Sequence, residues 1–274
     1  MNKISTAYAQ DPEREWQRLV KDPYHNLEFL VTWHYLQKHL QPKGQVLDAG
    51  GGPGRYALEL CRAGYEVTLL DISSSLISLA QEKFKSQPDA VQKQLSEFVL
   101  GDISDLSRFE TGRFDAVLCL GGPLTHISND TERHKAISEL VRVARPGAIV
   151  CLSVMGYFAV IRTILAGFSS ELVAPSFQTL LEQGSTTGTT GTIWHFFRAE
   201  ELRRDAEACG LETLEMAGCE GLSTGLADAT NALSQDAAKW QQWTRVILKS
   251  SAEPAIVDLA EHILYLGKKR SVVK

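Results

Sequence analysis

Residues 46–54 read Val46-Leu47-Asp48-Ala49-Gly50-Gly51-Gly52-Pro53-Gly54, an apolar run that meets an acid and then a cluster of glycines. The pattern predicts a short strand ending in a tight turn, followed by a helix over residues 55–63 that Gly64 stops. Glycines at such a turn let the backbone approach a ligand closely, and the N-terminus of the next helix offers unpaired N–H groups. A second strand expected over 66–70 completes one βαβ unit.

Outward from this unit the alternation continues. A helix is expected over 74–85, strands near 97–100 and over 114–120, a helix over 131–144 and a strand over 148–154. Strands that alternate with helices in this way imply a parallel sheet covered on both faces, an α/β fold. After Val154 the rhythm fails: residues 157–183 have helical apolar spacing and lead into a polar Gly/Thr loop at 185–192. A helix over 199–209, a strand over 211–216, a mostly helical stretch over 223–261 and a last strand over 262–266 follow. Ahead of the core, residues 11–40 read as one or two helices, broken at Pro23.

The 274 residues, 44% hydrophobic and 22% charged, suit one domain with attachments rather than two independent domains. A net charge of -5 supplies no broad cationic surface, so nucleic acid is a poor partner for this chain. The longest nearly apolar stretch, 148–161, is too short to span a bilayer, and the N-terminal residues lack the apolar core of a secretory signal. Five cysteines without a C-x-x-C pair indicate neither a disulfide framework nor a zinc site. The expectation is a reduced, cytoplasmic protein with no metal and no membrane partner.

Three acids fall at three successive strand ends: Asp48, Asp71 in VTLLDIS and Asp102 in FVLGDIS. Asp71 is placed to bind ribose hydroxyls, and Asp102 to accept from an exocyclic amine. Singly, each has a plainer reading, as a turn residue, a helix cap or a loop residue. Together they fit a nucleoside ligand without phosphates. Gly52, Gly54 and Ala57 also satisfy G-x-G-x-x-A, which leaves a nicotinamide-dependent oxidoreductase as an alternative. Asp48 opposes it, because a carboxylate there would repel pyrophosphate and suits a ligand with a positive end.

The motifs VLDAGGGPGRYALEL, VTLLDIS, FVLGDIS and FDAVLCLGGPLTHI resemble, in that order, the first four motifs of the class I S-adenosylmethionine-dependent methyltransferases. LVRVARPGAIVCLSV and HFFRAEELRRDAEACGLE are similar to later parts of the same family. The resemblance implies a Rossmann-like, doubly wound sheet of seven strands, mostly parallel with an antiparallel last strand. It implies S-adenosyl-L-methionine as cofactor and S-adenosyl-L-homocysteine as product. By the same resemblance, Asp48 and the backbone of Gly50, Gly51, Gly52 and Gly54 hold the methionine end. Asp71 takes the ribose with Ile72 against the adenine, Asp102 and Ile103 meet the adenine, and Leu120 and Gly121 line the sulfonium end. A binding module that uses the fold without catalysis is a further alternative.

The domain is read as 1–274, with a cofactor-binding core at 44–155, a helical lid at 11–40 and helical cap insertions at 156–193 and 223–261. The expected partner is a small-molecule methyl acceptor; the sequence names neither its reacting atom nor an oligomeric state. His126, in the loop after the fourth strand, is the candidate catalytic residue, as base or as acceptor-positioning group, against an ordinary loop histidine. Tyr24, His25, Tyr157, Trp194 and His195 are the candidate acceptor walls, against simple packing. The absence of N/D-P-P-Y/F in the fourth motif, and of a Pro-Cys loop, disfavours nucleic-acid methylation.

Overall fold

The computed structural model describes residues 10–187 and 191–271; residues 188–190, within the polar Gly/Thr loop expected at 185–192, lie outside the described residues. Seven strands form one sheet: β1 Gln45–Ala49, β2 Glu66–Asp71, β3 Leu95–Leu100, β4 Phe114–Cys119, β5 Ala144–Met155, β6 Leu211–Gly218 and β7 His262–Lys269. Their order is β3-β2-β1-β4-β5-β7-β6. β1 to β5 pair in parallel, and β7 runs antiparallel to both β5 and β6. This is the seven-stranded, mostly parallel sheet with an antiparallel last strand that the sequence implies. The winding reverses between β1 and β4, and an open α/β sheet has its ligand crevice outside the carboxyl ends of such neighbours.

The central strands are buried on both faces, which is why Val46, Leu47, Val117 and Leu118 read as unbroken apolar runs rather than alternating ones. One face is covered by α2 Pro23–His39, α3 Arg55–Arg62 and α4 Ser74–Lys85, which contribute Leu27, Val31, Leu60, Ile77 and Phe84 to a continuous core. The other is covered by α5 Asp130–Val143 and α8 Ala199–Ala208, through Ile137, Leu140, Leu202 and Ala206. Pro23 does interrupt the N-terminal run, and it does so as the first residue of α2. Asp22 caps that helix by accepting from the His25 N–H, and proline at the first position sacrifices no bond. Ahead of it lies α1, Pro12–Gln17.

The insertion after β5 leaves from the carboxyl edge as α6 Tyr157–Gly167 and α7 Pro175–Gln183. It returns through two-residue strands, Ser185–Thr186 against Trp194–His195. Tyr157, Ile164, Leu180 and Phe196 close a small core of their own beneath it. The segment before β7 forms α9 Ala227–Leu233, α10 Ala237–Ser250 and α11 Pro254–Leu259. Within it, Trp240 and Trp243 pack against the core on the α2 side, so α10 extends that layer.

Candidate functional site

The cleft lies at the carboxyl ends of β1 to β4. Gly50, Gly51, Gly52 and Pro53 line it from the turn after β1, Asp71 and Ile72 from the end of β2, and Gly101, Asp102 and Ile103 from the end of β3. Leu120, Gly121, Pro123, His126 and Ile127 close it after β4. The turn is glycine-rich for identifiable reasons. A Cβ on Gly50 would fall 2.6 Å from Pro123, and one on Gly51 2.4 Å from Leu69 and 2.5 Å from the Asp48 carboxyl carbon. Gly54 lies below the cleft, where its left-handed φ of +84° starts α3 and its bare Cα packs near Leu69 and Phe84.

Asp71 is buried, and its two oxygens accept from the Gly52 and Ser73 backbone N–H groups at 2.8 Å each. Burial pushes its pKa up to about 6 against these bonds. Asp102 accepts from both the backbone N–H and the hydroxyl of Ser104, each at 2.8 Å. Asp48 is fully buried under Gly51 and outside the cleft wall. His126 sits in a short turn after β4; burial drives its pKa down to about 4 although the Ile193 backbone supports its charged form. Its ring meets Trp194 edge-on at 4.5 Å.

Of the other wall residues, Glu15 and Arg18 lie outside the sequence motifs, and Arg55 and Tyr56 lie within the first motif without a role assigned there. A six-residue helix has little stability alone, and α1 is held over the cleft by contacts. The Arg55 guanidinium stacks on the Trp16 ring at 3.7 Å and donates to the Trp16 carbonyl, and Lys83 pairs with Glu13 at 2.9 Å. Arg18 donates to Glu15 at 2.8 Å and with both terminal nitrogens to Glu28, and one of those nitrogens would lie 2.9 Å from a Cβ on Gly121. Behind Glu28 stand His262 and Glu220, whose carboxylate takes the His262 ring at 2.6 Å and backbone N–H at 2.9 Å. Burial alone would neutralise His262, but Glu28 and Glu220 raise its pKa to about 9.

The expected acceptor walls are distributed differently. Tyr24 is buried and donates to Glu261 at 2.5 Å, and the His25 ring pairs with Asp22 at 2.8 Å. Tyr157 belongs to the core under the cap, and His195 is buried between the Ser185 hydroxyl at 2.9 Å and Glu201 at 2.8 Å. None of these four lines the cleft; Trp194 touches its wall through His126.

A family model described as a methyltransferase domain matches residues 46–147. A glycine/sarcosine N-methyltransferase of Aphanothece halophytica is 31% identical over 139 residues, 47% of this chain and 50% of that protein. A ubiquinone biosynthesis O-methyltransferase of Xanthomonas axonopodis pv. citri is 28% identical over 189 residues, 69% of this chain and 71% of that protein. The chain spans about half the length, 50% and 51%, of two of the glycine/sarcosine relatives it matches. Among solved structures, a SAM-dependent methyltransferase of Methanosarcina mazei superposes with a TM-score of 0.61 at 25% identity, covering 86% of this chain and 97% of that one. The fold is shared, at 14% identity and a TM-score of 0.56, with a Burkholderia thailandensis N1-methyltransferase crystallised with S-adenosylhomocysteine; the match covers 97% of this chain and 85% of that one.

Proposed function

We infer that this chain, whose residues 46–147 form a methyltransferase domain of the S-adenosylmethionine-dependent class, transfers a methyl group from S-adenosylmethionine to a small-molecule acceptor by in-line displacement. The observation that carries this is the cleft wall itself: a glycine turn, then Asp71, then Asp102, at three adjacent strand ends with Leu120 and Gly121 opposite. Bound there, the cofactor supplies a methyl group activated by its positive sulfur. Asp71 accepts from the ribose hydroxyls, Asp102 from the adenine amine, and Ile72 and Ile103 flank the ring. The bare turn at Gly50 to Gly52 leaves room for the methionine end. Arg18, aimed at Gly121 from α1, closes that end and keeps water out.

Transfer needs the acceptor held in line, and proximity alone supplies up to roughly 7–11 kcal/mol of barrier reduction. His126 is neutral at pH 7 because burial disfavours its charge, so it is suited to orienting an acceptor more than to stripping a proton from a basic one. A metabolite acceptor, rather than nucleic acid, agrees with the net charge of -5, and five free cysteines agree with a reduced, cytoplasmic setting. Among the described residues no helix is long and apolar enough to cross a membrane.

Equilibrium titration with S-adenosylhomocysteine and with NADH tests the reading, the first expected to bind and the second not. A screen of small amines, phenols and thiols with labelled methyl donor then identifies the acceptor. Binding of NADH alone would replace this proposal with the oxidoreductase reading, and cofactor binding without transfer to any acceptor class would favour a binding module.

A further inference from the structure

Among the described residues Arg133 is the largest fully buried side chain, although it carries a charge. From the first turn of α5 one of its terminal nitrogens donates to the Ile127 carbonyl at 3.0 Å and to the Ser128 carbonyl at 2.8 Å. The other donates to Asp130 and, at 3.4 Å, to Glu201 in the first turn of α8. An apolar side chain would fill this space without the cost of burying a charge, but it could not grip four acceptors at once as the flat guanidinium does.

The groups joined in this way belong to two different walls. His126 and Ile127 line the cleft after β4. Glu201 Oε1 also lies 2.8 Å from His195 Nε2, whose ring packs edge-on against Phe197 at 4.6 Å and meets the Ser185 hydroxyl at 2.9 Å through its other nitrogen. His195 is thereby fixed in the two-residue strand that presents Trp194 to His126. One pair, Arg133 with Glu201, thus holds both sides of that ring contact, and neither residue lines the cleft itself. The sulfonium end is anchored separately. Thr125 accepts from the Met155 backbone N–H at 3.0 Å, which fixes the loop between Gly121 and His126, and Asp71 ties down the glycine turn.

We propose that Arg133 is a positioning residue for the acceptor end of the cleft: paired with Glu201, it sets His126 against Trp194, so that methyl transfer depends on it and cofactor binding does not. This rests on the methyltransferase reading given above. When such a grip is loosened the loop stays folded but its side chains shift, and a misplacement of about 1 Å can cost on the order of a hundredfold in rate.

The test reads the His126 ring directly, by nuclear magnetic resonance of the full chain labelled at its histidine ring carbons. The signal missing from His126→Asn assigns the ring, and Trp194→Leu measures how far the Trp194 ring displaces that signal. Arg133→Met and Glu201→Ala are each expected to move it toward its position in Trp194→Leu while S-adenosylhomocysteine binds as in the wild type. With the acceptor that the screen above returns, both should lower kcat/KM about 10- to 100-fold. A His126 signal unmoved in either folded variant, or transfer at the wild-type rate, overturns the proposal. So does a loss of S-adenosylhomocysteine affinity as large as the loss of rate, which would make Arg133 a support of the whole cleft. If S-adenosylhomocysteine does not bind the wild-type chain, it is the cofactor reading that fails, and the His126 signal, read without ligand, still decides what Arg133 holds. Should Arg133→Met not fold, Glu201→Ala, at a partly exposed position, decides alone.

Discussion

Asp71 and Gly52 are joined by a hydrogen bond of 2.8 Å, from the Gly52 backbone N–H to Asp71 Oδ2. One carboxylate thereby ties the glycine turn after β1 to the end of β2, and it does so from the wall of the cleft. Fixing the turn and meeting a ligand are separate tasks, and substitutions divide them.

Asp71→Ala is expected to weaken S-adenosylhomocysteine binding by about 2–3 kcal/mol, the scale of hydrogen bonds lost to a charged group. It also frees the Gly52 and Ser73 N–H groups, so a drop in melting temperature accompanies it. Calorimetric titration that returns the wild-type affinity would remove Asp71 from the site.

The two neighbouring glycines should fail in different ways. Gly52 has a φ of +57° with no side-chain neighbour nearer than 3.9 Å, so Gly52→Val costs about 1–2 kcal/mol of backbone strain and places a branched side chain at the cleft wall. It folds but loses the cofactor. Gly51→Ala instead drives a methyl group into Leu69 and Asp48, and overpacking of this kind costs about 1–3 kcal/mol or more. Denaturant melts combined with ligand titration distinguish the two, and wild-type affinity in folded Gly52→Val would sink the assignment of the turn.

His262 makes stability fall as the solution becomes alkaline. Its folded pKa of about 9 lies above the ordinary value near 6.5, so the protonated form is the one the fold favours. The contribution, on the order of 3 kcal/mol, is fully present below pH 6.5 and lost as the pH rises through 9. Chemical denaturation from pH 6 to 9.5 should show this decline in the wild type and a flatter curve in His262→Gln; parallel curves would contradict it.

His126 should leave no mark on the pH–rate profile between 5.5 and 8, because burial holds its pKa near 4. His126→Asn is expected to lower kcat about tenfold without changing the shape of that profile. An inflection near 6.5 that disappears in the variant would restore His126 as a general base.

The wall of the cleft at β1 to β3 was legible because its signals are local. Gly50 to Gly52, Asp71 and Asp102 each sit where a strand stops, and strand ends can be read from a few neighbouring residues. Arg18 and Glu15 could not be read that way. On a short helix two charges spaced three apart look like a solvated face, and only the fold of α1 over the turn brings Arg18 against Gly121 and Glu28. The aromatic residues were less legible for a related reason: Tyr24 and Tyr157 signal burial, but apolar character does not say which wall is being built. Trp194 reached the cleft indirectly, through a hairpin that His195 pins to Glu201.

The placement of β7 also orders events during synthesis. β5 and β6 are neighbours in sequence among the strands, yet β7 lies between them, so neither can complete its ladder until residues beyond Glu261 have been made. Until then β5 presents an open row of peptide groups flanked by Val150, Leu152 and Val154, a template for pairing with any extended chain nearby. The strands that build the cleft, β1 to β4, find their ladder partners among residues made earlier, although Leu264 and Leu266 of β7 later join their core. A ribosome-bound chain would therefore carry paired β1 to β5 beside an unfinished sheet edge, and that edge is where a chaperone has most to protect.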